Sequence, residues 1–165
     1  GYSLIRKILE ITSADLSRPF DGATLGEKLL CPTKIYVEIV KKLTSKLQIN
    51  SISHITGGGL TENIPRVIPK ELQAVLDVKS WKRPAIFSWI QDKGNIDTEE
   101  MYRTFNCGIG MVICVNPNNV DSALRILSQD QSSASVIGHI SKRPTDQQTN
   151  RASRIIPIPK GKKSK

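Results

Sequence analysis

At 165 residues and 18.3 kDa the chain has room for one domain of ordinary size, which excludes a pair of full catalytic domains. With 38% hydrophobic and 24% charged residues it can bury a real core, which excludes disorder as the main state. The formal charge of +9 belongs mostly to the end of the chain: residues 142–165 hold eight of the 24 Lys/Arg and one of the 15 acids, leaving 16 basic and 14 acidic residues before them. We therefore expect an ordered domain over 1–142, a basic flexible tail or linker over 143–165, and no nucleic-acid partner. No apolar run approaches the roughly 18 to 20 residues of a membrane span, and Gly1-Tyr2-Ser3-Leu4 lacks the pattern of a signal peptide. The expectation is a cytoplasmic (cytosol) protein with no membrane partner.

In chain order, Leu4, Ile5, Ile8 and Leu9 form one helical stripe. Residues 13–24 have loop composition, and a short helix through Leu25, Leu29 and Leu30 stops at Cys31-Pro32. Helical spacing of Ile35, Ile39, Val40, Leu43 and Leu47 predicts a helix from Thr33 to about Leu47. Ser51 to Thr56 alternates as a strand and runs into Gly57-Gly58-Gly59, with a short helix over Leu60 to Arg66. Gln73 to Val78 reads as a strand, and Ala85 to Lys93 as a helix with Gly94 just past its end. Asp97 opens a helix with an acidic first turn, ending near Thr104. Gly108 to Val115 is apolar throughout, the pattern of a strand buried on both faces at the centre of a sheet. Asn118 or Asn119 caps a helix carrying Val120, Ala123, Leu124 and Leu127, and Ala134 to Ile140 reads as a last strand. The fold class is α/β (α+β), a mixed β-sheet flanked by helices.

Two segments can carry chemistry. In His54-Ile55-Thr56-Gly57-Gly58-Gly59-Leu60-Thr61-Glu62-Asn63-Ile64-Pro65-Arg66, three glycines between strand and helix let backbone N–H groups approach an anion, with Thr56, Asn63 and Arg66 able to add hydrogen bonds or charge. The same pattern also fits a plain glycine turn without a ligand, and it matches neither a P-loop nor G-x-G-x-x-G. In Glu100 to Met111, Thr104, Asn106 and Cys107 cluster at a helix-to-strand junction where Gly108 and Gly110 permit close backbone approach; a tight connection into the core is the simpler reading. Cys31, Cys107 and Cys114 form no C-x-x-C pair and have only His54 and His139 to join them, so no metal site is expected. Cys114 reads as a small buried hydrophobe, and Cys107 as a position where a reactive thiol is conceivable. Trp81 and Trp89 read as packing residues.

The series GYSLIRK at 1–7, LLCPTKIYV at 29–37, HITGGGLTENIPRVIP at 54–69, Trp81 with IFSWIQDKG at 86–94, and EMYRTFNCGIGMV at 100–112 resembles the C-terminal half of the AIR synthetase family, the phosphoribosylformylglycinamidine cyclo-ligases of purine biosynthesis. The resemblance covers nearly all of residues 1–141. It implies ATP-dependent ring closure of formylglycinamide ribonucleotide amidine to aminoimidazole ribonucleotide. It further implies that ATP and Mg2+ are bound mainly by an N-terminal ATP-binding domain not contained in this sequence, that the full enzyme is a homodimer, and that this chain alone is inactive. The parent protein is mono- or multifunctional, since the basic tail resembles the region where some forms continue into further purine-pathway domains. By motif match, His54, Thr56, Gly57, Gly58, Gly59, Asn63 and Arg66 would contact substrate or phosphate. Thr104, Phe105, Asn106 and Gly108 are lesser candidates, and Ser3 would belong to a substrate-contacting loop. No catalytic base is identified. Competing readings are a related ATP-dependent synthetase or kinase-superfamily domain, such as selenophosphate synthetase, thiamin-phosphate kinase, a hydrogenase-maturation protein or the amidotransferase of the preceding purine step, and a polyanion-binding module using the tail.

Overall fold

The computed structural model describes residues 1–129 and 133–144; most of the expected basic tail, from position 145 on, lies outside the described residues. Helix α1 spans Tyr2–Thr12, buries Ile5 and Ile8, and ends at Ser13 in the left-handed region (φ 47°). The segment expected to be loop contains a tight hairpin, β1 (Pro19–Phe20) and β2 (Ala23–Thr24). Its turn residues, Asp21 and Gly22, both have positive φ (48° and 79°), the geometry that an Asp-Gly pair favours between antiparallel strands. Helix α2 (Leu25–Leu29) begins with a capping box in which the Thr24 hydroxyl accepts from the Glu27 N–H and the Glu27 carboxylate accepts from the Thr24 N–H.

Helix α3 covers Val37–Thr44, a shorter span than its apolar spacing predicts. The helix opens at Tyr36, whose carbonyl accepts from the Val40 N–H at 3.0 Å, whose ring packs edge-on against His54, and whose hydroxyl fills the space where a side chain on Gly110 would stand. Ile35 is consequently 83% exposed instead of lying on the buried stripe. Strand β3 (Ile49–His54) leads through the glycine loop to α4 (Gly59–Asn63) and a 3-10 turn over Ile64–Val67, then to β4 (Leu72–Leu76). Helix α5 (Ala85–Gly94) is closed by Asn95 in the left-handed position (φ 47°); Gly94 is still helical, and a side chain there would press on Ile8 of α1. Helix α6 (Thr98–Thr104) starts after Asp97 as its acidic first turn suggests, although the Asp97 side chain makes no cap hydrogen bond. Strand β5 is Met111–Val115, helix α7 Val120–Ser128 and strand β6 Gly138–Lys142. The last strand lies four residues beyond its predicted start, because its register is set by pairing with β4.

Helices and strands mix as expected, and the described strands form antiparallel pairs: β1 with β2, β3 with β5, and β4 with β6. Strand β5 therefore does not lie at the centre of a sheet. All five of its residues are half-buried, and Cys114 with them, because its apolar side faces a groove of about 1000 Å³ shared with Leu76, Trp81 and Ile140 from the β4–β6 side. The main core lies beneath the glycine loop, where Ile5, Ile8, Leu60, Ile64, Trp89, Ile90, Met101 and Phe105 pack together. A smaller core of Leu43, Ala123 and Ile126 lies between α3 and α7.

Candidate functional site

The glycine loop folds back on itself before the helix begins. The Gly59 N–H donates to the Thr56 carbonyl at 3.0 Å, and Gly58 and Gly59 take φ of 94° and 54°, which a residue with a Cβ rarely adopts. A Cβ on Gly59 would overlap the Tyr102 carbonyl oxygen and stand 2.7 Å from that of Phe105, so only glycine lets this turn rest on the end of α6. Thr61 adds a hydroxyl hydrogen bond to the same Tyr102 carbonyl at 3.3 Å. The two motif segments are thereby joined into one structure. Gly57 and Thr56 are exposed, and a Cβ on Gly57 would meet nothing within 4 Å.

Asn63 faces inward. It is 5% exposed, and its Nδ2 donates to the carbonyls of Gly59 (2.8 Å), Gly57 (3.1 Å) and Thr56 (3.4 Å) while its Oδ1 accepts from Arg66 Nη1 (3.4 Å). Two N–H groups shared among three carbonyls leave this carboxamide fully occupied in clasping the loop. Arg66 and Arg103 form the rim. Glu62 accepts from Arg103 Nε at 3.2 Å through Oε1 and faces Arg66 Nη2 at 3.7 Å through Oε2, and Arg103 Nη1 also lies 3.8 Å from Glu100. Sequence reasoning did not single out Glu62 or Arg103. The i,i+4 spacing of Glu62 and Arg66 is visible in the helix expected over Leu60 to Arg66, but the pairing of positions 62 and 103 depends on the tertiary contact at Gly59.

The junction after α6 is internally satisfied. Thr104 donates its hydroxyl to Glu100 Oε1 at 2.7 Å, Phe105 is buried, and the Asn106 side chain accepts from the Gly108 N–H at 3.0 Å. Cys107 (φ 49°) and Gly108 (φ 99°) make the tight turn into β5, with the Trp81 Nε1–H bonded to the Cys107 carbonyl at 3.1 Å. Cys107 is not a reactive thiol: it is fully buried, its Sγ lies 3.5 Å from the Met101 carbonyl, and burial pushes its pKa up to about 12, with Arg83 opposing the shift. Ser3 is exposed on the first turn of α1, and Gly1 sits so close to Phe105 that a Cβ there would be 2.9 Å from the ring. The start of α1 thus borders the same junction. His54 stands apart on the exposed end of β3, its ring 5.7 Å from that of Tyr36.

The groups placed to meet a ligand at the loop are the Thr56 side chain, the backbone at Gly57, and the two guanidinium groups, which are paired with Glu62 and suit an oxyanion. Among the described residues no three His, Cys, Asp or Glu side chains group as a metal-holding set. No described helix is long and apolar enough to cross a membrane. The model of one protein family, AIR synthase related protein, C-terminal domain, matches residues 1–148. That span contains the glycine loop, the arginine rim and the Tyr102–Phe105 shelf that supports them, and the chain belongs to this family of AIR synthase related C-terminal domains.

Proposed function

We propose that the chain is the substrate-side domain of a cyclo-ligase that converts formylglycinamide ribonucleotide amidine to aminoimidazole ribonucleotide in cytosolic purine biosynthesis. ATP with Mg2+, carried by a separate N-terminal half that also makes the homodimer, supplies the phosphoryl group that activates the formyl oxygen. The residues of this chain bind and orient. The Thr56–Gly58 backbone and the arginine rim hold the anionic part of the ribonucleotide, and the Asn63 clasp fixes the loop so that ordering it on binding costs little. Such positioning is what ring closure needs from this side, because the attacking amidine nitrogen and the formyl carbon belong to one molecule.

The observation that supports this reading is the unbroken pair of units T-G-G-G-x-x-x-N-x-x-R and R-T-F-N-C-G in a chain of this family, packed against each other through Gly59. Calorimetric titration of the chain tests it. Saturable binding of the amidine ribonucleotide, with none of thiamin phosphate or a short RNA, is the expected result. Binding of either of those in its place overturns the reading. Adding the ATP-binding half of a cyclo-ligase should then give ATP-dependent product, with none from this chain alone.

A further inference from the structure

The Glu62 side chain occupies an unusual place for a residue of a helix's first turn. An ideal Cβ on Gly58 would stand 2.7 Å from Glu62 Oε2 and 2.9 Å from Glu62 Cβ, so the carboxylate is folded over the glycine loop. Its two oxygens are divided between two guanidinium groups from different elements, Arg66 after α4 and Arg103 on α6. The charged groups around it are these two arginines and Glu100, which shares Arg103. All three residues of the bridge keep contact with solvent, with side-chain exposures of 44% for Glu62, 62% for Arg66 and 63% for Arg103. The bridge can therefore open without unpacking the core.

A carboxylate held by two arginines over a glycine backbone fills the place, and meets the partners, that would suit a bound phosphate. We propose that Glu62 is an internal stand-in for a ligand's phosphate, holding Arg66 and Arg103 in place over Gly58 until a phosphomonoester displaces it. The proposal rests on the reading that this loop faces a phosphorylated substrate, and it adds a competing group that sets affinity and keeps the arginines together in the free chain. A phosphomonoester carries more charge than a carboxylate and offers three acceptor oxygens, so it can take both guanidinium groups and still accept from the loop backbone. The pairs it must replace are exposed ones, which are individually weak.

The test is titration of the chain with ribose 5-phosphate and, separately, with inorganic phosphate at low ionic strength. Glu62→Gln is expected to bind ribose 5-phosphate about tenfold more tightly than the parent, and Arg66→Gln with Arg103→Gln in that background is expected to abolish the gain. A matching gain for inorganic phosphate would place recognition in the phosphate group alone, and a gain only for the sugar phosphate would extend it to the ribose; either supports displacement. Equal affinity in parent and Glu62→Gln, or a gain that survives loss of both arginines, overturns it. Should Glu62→Gln fold poorly, the Arg103 Nε–H resonance of the parent chain serves instead: it should shift saturably with ribose 5-phosphate, and an unmoved resonance overturns the proposal. If Glu62→Gln gains ribose 5-phosphate while the amidine ribonucleotide binds no better than that sugar phosphate, displacement stands and the cyclo-ligase reading falls.

Discussion

The core beneath the glycine loop and the core between α3 and α7 draw on the same apolar residue types but differ in depth. The first gathers fifteen buried residues from helices α1, α2, α4, α5 and α6, strand β4 and the segments between them; the second has Leu43, Ala123 and Ile126, with half-buried Leu47, Ile49, Ile113 and Leu127 around them. Every motif residue suited to hold an anion stands on the deep core or at its rim. On the proposed reading, a loop that holds backbone amides toward an anion needs a floor that cannot yield, and dense packing supplies one. The shallow core supports a face on which Val37 is 54% exposed and no ligand-binding pattern appears among the described residues.

The most severe way to break this contrast is Gly59→Ala. Its Cβ would enter the Tyr102 carbonyl, and we expect a loss of more than about 3 kcal/mol in denaturant unfolding, together with loss of ligand binding. A near-normal midpoint would show that the shelf yields. Next come two buried leucines, one from each core. Leu60→Ala should cost about 2–5 kcal/mol, and Leu43→Ala should lie toward the low end of that range because its thinner surroundings can collapse into the space. Equal costs would mean that the cores do not differ in rigidity.

Asn63→Leu sharpens the same point from the polar side. It removes the side-chain donor shared by three loop carbonyls, of which Thr56 keeps the Gly59 N–H, for a cost of about 1–3 kcal/mol, and amide exchange at Gly59 should accelerate while exchange in α7 stays unchanged. Cys107 adds a pH signature. Its folded pKa is raised by burial from 9.0 to about 12, so its contribution to stability is full below pH 9 and is lost as pH rises from there toward about 12, where the unfolded thiol ionises first. Cys107→Ala should flatten that alkaline decline relative to the parent, and at pH 8 an alkylating reagent should label the exposed Cys31 and spare Cys107. The smallest difference separates the two tryptophans. Trp81→Phe loses the hydrogen bond to the Cys107 carbonyl, whereas the buried Trp89 Nε1–H meets no partner among the described residues, so Trp81→Phe should lose about 1 kcal/mol of bonding that Trp89→Phe does not.

Much of this arrangement was legible in residue order. The stripe of α1, the order strand, glycines, helix through residues 57–59 and the extent of α6 follow from local periodicity and composition; the structure keeps that order but sets the strand two residues earlier than expected, at Ile49–His54, and ends α4 at Asn63 instead of Arg66. What escaped was decided between distant segments. Helix α3 opens only at Tyr36, whose side chain is received by Gly110 and His54, and β6 starts at Gly138 because β4 sets its register. The Asp21-Gly22 turn was a local signal passed over inside a polar stretch. At the site, the three glycines announced the loop, but whether Asn63 points at a ligand or at its own backbone is a matter of side-chain direction, and spacing does not encode it. The bridge from Glu62 to Arg103 is hidden for the same reason, since its partners are brought together only by the packing of α4 on α6.

The β4–β6 ladder carries a consequence for timing. Its register joins Leu72 to Lys142, 70 positions apart, so a growing chain displays β4 long before its partner strand exists. Closing so long a loop is entropically costly and slow compared with forming α1 or the hairpin at 19–24. During synthesis the segment around Val75 therefore waits with its edge open to other extended chains. A chaperone or a neighbouring domain that shields this strand would shorten the interval in which the molecule is most open to misassembly.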